Sequence, residues 1–323
     1  MTSTLYAALR HLSRGEFVSG AAIAQALGCS RATVHNALQA AAELGVKVHA
    51  VQGRGYRLAQ PMDWLAVESL SAALSARGMA LRFFERLDST NTHLLEAARA
   101  GAEHRTVVLA EWQTRGRGRR GRKWQTGLGD SLTFSLLWRS LRPAAELSGL
   151  SLAVGVVLSM RLRRMGLARA QVKWPNDIVV AGEKLAGVLI ELSGEALGPS
   201  AAVIGVGINL RGGAALGASL GQPITDLGSH LQAVDRNALF LDLVRGLDEG
   251  LARFEQEGFA AFHQDWNAAH AFHDRPVDIL TIQGECISGV AMGVDGQGAL
   301  LLRTRTGVRR FHSGEVSLRG AGA

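Results

Sequence analysis

Five short stretches hold the residues best suited to chemistry. Between Thr114 and Trp124 the run TRGRGRRGRKW sets five arginines and Lys123 among Gly116, Gly118 and Gly121. The spacing Gly116-x-Gly118-x-x-Gly121 matches the dinucleotide fingerprint letter for letter. That fingerprint needs a helix to begin there, and RKWQTGLGDS is not helical. A Walker loop would need Gly-Lys-Ser/Thr, which is missing. An RNA-binding arginine–glycine segment would normally lie in a long tail, whereas this run joins two predicted strands. The residue types favour a mobile, glycine-jointed cationic lid that orders around an anionic ligand and keeps water from a reactive intermediate. Lys173-Trp-Pro-Asn-Asp177 ends a predicted strand, and Pro175 breaks the ladder so that Lys173, Asn176 and Asp177 project together. A cation for phosphate beside an amide and a carboxylate for Mg²⁺ describes a triphosphate site. Gly182-Glu-Lys-Leu-Ala-Gly187 reads as a hairpin delivering Lys184 into a strand. Gly205-Val-Gly-Ile-Asn-Leu210 reads as a strand ending in Asn209, and Asp88-Ser-Thr-Asn91 as a helix cap.

These stretches need a mixed framework to bring them together. The apolar patterning predicts strands over 81–86, 106–112, 131–138, 170–174, 185–192 and 201–207, with helices over 65–77, 91–100, 146–165 and 237–257. Strands interleaved with helices point to an α/β or α+β enzyme core. After residue 275, short strands broken by glycine suggest a small β-barrel.

The first sixty residues read differently. Residues 4–13 have helical spacing. Ser19 then caps a short helix ended by Gly28, and Ser30 caps a longer one ended by Gly45. Residues 46–58 alternate around Gly53-Arg54-Gly55 as a hairpin wing would, so the whole reads as a winged helix-turn-helix. Ser30, Arg31, Thr33, His35 and Asn36 open the second helix and Arg54 lies on the wing, an arrangement suited to DNA. The QPMDW run at 60–64 reads as a linker.

Composition narrows the function classes. The chain has 323 residues, a net charge of +7 and a 47% hydrophobic share, which excludes disorder of the whole chain. The positive surplus lies in the N-terminal module and the arginine loop, where nucleic acid and an anionic ligand would be met. Only Lys47, Lys123, Lys173 and Lys184 are lysines. Three of them fall in the marked motifs, where a compact ammonium is not interchangeable with guanidinium. Cys29 and Cys286 form no metal-spaced cluster or disulfide framework. No apolar run has membrane-spanning length, and the N-terminus lacks a secretory signal. A cytoplasmic location is expected.

Taken in order, SRATVHNAL, GRGYRL, DSTN, GRGRRGRKW, KWPND, KLAGVLIEL, GVGINL, FEQEGF and GEVSLR resemble the biotin protein ligases, specifically the bacterial bifunctional ligases that also repress the biotin operon. The resemblance spans nearly the whole chain. It implies an α+β protein with a winged helix-turn-helix domain at 1–62, a catalytic mixed-sheet α/β domain at 63–273 and a small SH3-like barrel at 274–323. It also implies activation of the substrate biotin by ATP and Mg²⁺ to biotinyl-5′-AMP, followed by transfer to a lysine of a biotin carboxyl carrier protein. An adenylate-bound homodimer would bind operator DNA. By motif, Ser89, Thr90, Asn91, Gln113, Arg117, Gly118, Arg119 and Lys184 would contact biotin and the acyl-phosphate junction. Arg122, Trp124, Lys173, Asn176 and Asn209 would serve the nucleotide. Arg119 and Lys184 would be catalytic, with Asp177 accepting a proton or positioning metal. No protein-held metal site is expected. The family usually follows the tryptophan with a Ser-Pro or Ala-Pro turn. Here Gln125-Thr-Gly-Leu-Gly-Asp130 follows it, which alters the expected adenine pocket. The rivals are a ligase without repression, a biotin sensor without catalysis, and a lipoate ligase.

Overall fold

The computed structural model describes residues 2–12, 15–125, 127–194, 199–281, 284–312 and 316–320, with backbone alone for 2–3 and 316–320. Ser13, Thr126 and Gly314-Glu315 of the GEVSLR stretch lie outside the described residues.

The N-terminal module comprises α1 (Thr2–His11), α2 (Gly20–Ala26), α3 (Arg31–Gln39), β1 (Val48–Val51) and β2 (Gly55–Leu58). Both expected caps form: Ser19 Oγ accepts from the Ala22 amide at 3.1 Å and Ser30 Oγ from that of Thr33 at 3.0 Å. The third helix does not run to Gly45 as an α-helix. It tightens into a 3₁₀ turn over Ala40–Leu44 before Gly45 turns left-handed. Leu5, Leu9, Ile23, Val34, Leu38 and Leu58 form the core of the module.

Residues 60–64 are not a free linker. Met62 is buried in that core, and Trp64 meets the Tyr6 ring edge-on with the Arg10 guanidinium over it. Proline and aspartate give the run a loop-like composition, but its two large side chains fill the seam between modules.

The central domain contains α4 (Val67–Ser75), β3 (Ala80–Leu87), α5 (Thr90–Arg99), β4 (Thr106–Gln113), β5 (Gly116–Arg117), β6 (Lys123–Trp124), β7 (Ser131–Ser140), α6 (Leu150–Arg164), β8 (Ala170–Lys173), β9 (Asp177–Val180), β10 (Glu183–Gly194), β11 (Ser200–Asn209), α7 (Gly213–Leu220), α8 (Arg236–Glu257) and α9 (Ala260–Ala269). Seven strands form one mixed sheet in the order β3-β4-β7-β11-β10-β9-β8, with only β3 and β4 paired in parallel. Strand periodicity divides the faces. Leu132, Phe134, Leu136, Ala202, Ile204, Val206 and Ile208 pack with α6 and α8, while Leu137, Ala201 and Val203 pack with α5 on the other side. Towards one end the α5 face changes character, because Thr133, Ser135, Gly205 and Gly207 replace large apolar groups.

The long helix starts at Leu150 rather than 146. Gly149 has φ +80°, and a Cβ there would stand 2.6 Å from Phe259 Cγ, so the chain breaks between a 3₁₀ turn and α6. The segment Ala144–Arg164 has the length and hydropathy to cross a membrane. Its Leu152, Val154, Val156, Leu158 and Leu162 are instead buried in the protein core. Helices α7 and α9 were not anticipated from periodicity.

The C-terminal part forms β12 (Pro276–Thr281), β13 (Cys286–Val294), β14 (Leu300–Thr304), β15 (Gly307–Phe311) and β16 (Val316–Gly320), an antiparallel sheet ordered β15-β14-β13-β12-β16. No closed barrel forms among the described residues.

Leu128 connects the modules. It belongs to the loop after Trp124, yet is buried in the N-terminal core and donates its amide to Leu44 O at 3.1 Å. Arg211 Nη1 reaches Pro61 O at 2.9 Å and Nη2 reaches Gly129 O at 3.2 Å, clamping the same seam. Leu128→Ala is expected to destabilise the N-terminal module by about 2 kcal/mol, the low end for a buried leucine because a flanking loop can settle into the gap. Faster amide exchange across Ala41–Val46 with unchanged exchange in β11 would bear this out; equal exchange in both proteins would contradict it.

Candidate active site

The polar end of the α5 face gathers most of the marked motifs. The arginine run, expected as an open loop, folds into a short hairpin: Gly116 pairs with Trp124, Arg117 pairs with Lys123, and the Gly118 amide donates to Arg122 O at 2.7 Å. A Cβ on Gly116 would stand 2.4 Å from Trp124 O, so this close approach requires glycine. The hairpin lays Trp124 flat on the sheet, where a Cβ on Gly207 would meet its ring at 2.5 Å. Gly187, Gly205 and Gly207 thus make a floor without side chains. The alternation in VIGVGIN was the sequence signal for that floor.

At the β8–β10 edge, Lys184 Nζ lies 2.8 Å from Asp177 Oδ1 and 5.9 Å from the Trp124 ring. Arg119 Nη1 donates to Asn176 Oδ1 at 3.2 Å, and Asn176 Nδ2 donates to Val188 O at 2.7 Å. Burial lowers the Arg119 pKa from its ordinary value, reinforced by Arg120 and Arg122 and opposed by Asp177. Trp174, joined to Pro175 by a cis peptide, is buried and donates its indole N–H to Gly298 O at 3.2 Å. Its position holds Asn176 and Asp177 toward the hairpin. Lys173 takes a different direction, with Nζ 5.7 Å from the Phe272 ring. Arg122 is exposed on the hairpin's outer arm.

A second group surrounds the start of α5. Ser89 caps the helix, so it begins at Thr90, one residue before the expected start at 91. Thr90 donates its amide to Gln113 Oε1 at 2.7 Å and its hydroxyl at 3.1 Å. The Ser135 hydroxyl lies 2.6 Å from Asn91 Oδ1 and 2.8 Å from Thr90 Oγ1. Asn91 is only 3% exposed, and its oxygen occupies the place where a Gly205 Cβ would be.

Asn209 stands behind this surface. Its amide donates to Thr225 O at 3.1 Å and Lys184 O at 3.4 Å, committing it to backbone. The strap carrying those contacts was missed in the sequence. Residues 223–225 lie alongside Lys184, with Lys184 N donating to Pro223 O and Thr225 N to Lys184 O, both at 2.9 Å. Asp226 fastens the strap by accepting from the amides of Gly213 and Ser229. Ser135 and Glu191 were missed as well, because they sit in otherwise ordinary strand sequence.

A cavity of about 660 Å³ opens at the opposite ends of β7, β10 and β11, with Arg99 and Arg139 in its lining and no lysine or carboxylate among the described residues. Among the described residues no cluster of three His, Cys, Asp or Glu could hold a metal ion. Asp177 and Asn176 offer a small oxygen set that fits Mg²⁺ carried by nucleotide phosphates, since that ion usually takes one or two protein carboxylates.

On the N-terminal module, Arg31, Thr33, His35 and Asn36 are exposed along α3. The Ser30 hydroxyl is occupied by its cap. His35 Nδ1 lies 3.0 Å from the Tyr56 hydroxyl, which ties α3 to the wing. Arg54 and Arg57 both stack on Phe17, at 4.2 and 4.8 Å.

Residues 83–209 match the Biotin/lipoate A/B protein ligase family, residues 4–57 an HTH domain and residues 272–319 the Biotin protein ligase C terminal domain. The Bifunctional ligase/repressor BirA of Escherichia coli is 38% identical over 311 residues, covering 96% of this chain and 95% of that protein. The Biotin--[acetyl-CoA-carboxylase] ligase of Paracoccus denitrificans is 34% identical over 241 residues, covering 73% of this chain and 99% of that protein. The solved biotin protein ligase from Aquifex aeolicus in complex with biotin and ATP aligns with a TM-score of 0.64 at 29% identity, covering 75% of this chain and 99% of that one.

Proposed function

The chain belongs to the bifunctional biotin ligase/repressor family, and from that premise we propose how its residues activate biotin with ATP and pass the biotinyl group to a carrier lysine. The observation that carries the reading is the convergence of Arg119, Lys184, Asn176 and Asp177 beside Trp124, from two regions distant in sequence, the arginine hairpin and the β9–β10 hairpin.

A biotin carboxylate oxygen attacks the α-phosphorus of MgATP. The bond from that phosphorus to the bridging oxygen breaks, and pyrophosphate leaves. Both reactants are anionic, so Lys184 and Arg119 offset their repulsion and stabilise charge on the equatorial oxygens. Asn176 and Asp177 would hold Mg²⁺ arriving with the nucleotide, and that ion would supply further charge neutralisation. Trp124 offers a flat ring for adenine, and Asn209 acts by holding Lys184 and the strap rather than by touching phosphate. Ser89, Thr90, Asn91, Gln113, Arg117 and Gly118 form the polar wall and lid for biotin. A neutral carrier lysine then attacks the anhydride carbonyl and AMP leaves; where Asp177 is not engaged with metal, it is the carboxylate that would take the amine proton.

We assign domains 1–62, 63–273 and 274–323. The C-terminal strand order, with β12 between β13 and β16, supports an SH3-like class for the last domain. The N-terminal module binds DNA through α3 and the wing, and an adenylate-bound homodimer would match a two-fold operator. With a carboxyl carrier protein and operator DNA as partners, the protein would work in the cytoplasm.

Incubating the protein with biotin, MgATP and a biotin carboxyl carrier domain should add one biotinyl mass to the carrier. A carrier that stays unmodified while its known ligase modifies it would refute the reading. An adenylate-dependent gel shift on the chain's own biotin-operon promoter distinguishes the repressor from a ligase that does not repress.

Arg119→Gly removes the hairpin's hold on Asn176. Loss of a charge-assisted hydrogen bond worth about 1.5–3 kcal/mol corresponds to at least about tenfold faster adenylate escape. Biotinylation of a bystander protein should rise accordingly, and a variant that retains adenylate like the parent would remove this role from the hairpin.

A further inference from the structure

Glu191 belongs to none of the site roles assigned above, yet it joins two parts of the site. From β10 its Oε1 lies 2.8 Å from Arg117 Nη2, while Oε2 accepts from Arg117 Nη1 at 3.2 Å and from Asn91 Nδ2 at 3.0 Å. The fork-to-fork contact with Arg117 is the stronger, directional kind of ion pair. Arg117 Nη1 also reaches Thr92 Oγ1 at 3.4 Å, so the guanidinium spans from the sheet to α5.

The second consequence concerns Asn91. Its Nδ2 donates to both Glu191 and Leu189 O, the latter at 3.2 Å, which uses both amide protons. Asn91 can therefore meet a ligand only through Oδ1, as an acceptor. Reversing that amide would aim Nδ2 at the Ser135 hydroxyl and Oδ1 at a carboxylate and a carbonyl. Glu191 thus decides which atom of Asn91 faces the floor at Gly205 and where the first arm of the hairpin docks.

We propose that Glu191 is a positioning residue for biotin activation, holding Arg117 and the Asn91 amide in their working orientation before ligand arrives. This rests on the biotin reading above. The benefit is preorganisation: the ligand finds the acceptor and the arginine already in place, and its binding need not order them.

The test uses the full chain in biotin-dependent ATP–pyrophosphate exchange. Glu191→Gln keeps the size and loses the charge. The expected result is a rise of about tenfold in the KM for biotin, a smaller fall in kcat and partial recovery with Glu191→Asp. In an Arg117→Ala background the Glu191→Gln effect should shrink, because the two residues act as one unit. A KM unchanged by Glu191→Gln would overturn the proposal even if the melting temperature fell, since that pattern marks a purely structural residue. Independent, multiplying effects of the two substitutions would also overturn it, as would a lowered KM, which would mark Glu191 as a brake. Absence of biotin-dependent exchange in the parent protein would instead sink the functional reading on which the proposal stands.

Discussion

Lys184→Ala should reduce biotin-dependent ATP–pyrophosphate exchange by about 10²–10³-fold, the usual cost of removing one preorganised charge from developing transition-state charge. The ammonium projects from a strand edge fixed on both sides: Pro223 O accepts its amide, and Thr225 and Asn209 donate to its carbonyl. Losing the side chain leaves that frame intact, because the group is part-exposed and its backbone bonds remain. The melting temperature should therefore move little while kcat collapses. Lys184→Arg should not restore the rate, since a planar guanidinium cannot occupy a compact position 2.8 Å from Asp177 without displacing Trp124. Exchange within a factor of three of the parent in Lys184→Ala would remove this residue from the chemical step.

Arg236→Met should have the largest effect on stability. Arg236 and Glu111 have side chains 2% and 0% exposed and form a direct ion pair. The pair has further partners: Arg236 also donates to Asp63 O at 3.2 Å and Ser131 O at 3.0 Å, and Glu111 Oε1 accepts the Leu65 amide at 2.9 Å, while Arg236 Nε is buried with no hydrogen-bond partner among the described residues. Removing one partner strands a buried carboxylate, a loss of about 3–5 kcal/mol. At about 2–4 °C per kcal/mol for a domain of this size, the melting temperature should fall by about 10 °C. Converting Glu111 to Leu in the same protein should recover much of the loss, because no unpaired charge then remains. Calorimetry on the two variants checks both statements, and an Arg236→Met transition unchanged from the parent would mean that the pair is neutral to the fold. Since the pair anchors residues 63–65 to β4, two residues before Gln113, the seam between modules and the site wall share one support.

Much of this was legible in sequence because it depends on local rules. Ser19 and Ser30 cap helices wherever they occur before such runs. Alternation in IGVGI assigns Ile204, Val206 and Ile208 to one face and Gly205 and Gly207 to the other without reference to a partner strand. The glycine spacing in RGRGRRG required tight turns, and the arginines implied an anion. The motif series also carried the family resemblance and with it the reaction class.

Other features depend on distances in chain position that only the folded chain closes. Glu191 meets Asn91 and Arg117 because β10 lies in one particular register beside β11; a shift of one residue would turn it to the opposite face. Lys173 and Asn209 carry the right chemical types for phosphate, but the first turns toward Phe272 and the second is taken up by backbone carbonyls. Composition cannot report which way a side chain leaves a strand end. Leu128 and Met62 look like loop residues until the modules meet and bury them. Side-chain period and cap chemistry are properties of neighbours in sequence, whereas partner identity, register and burial arise only when separate segments pack together.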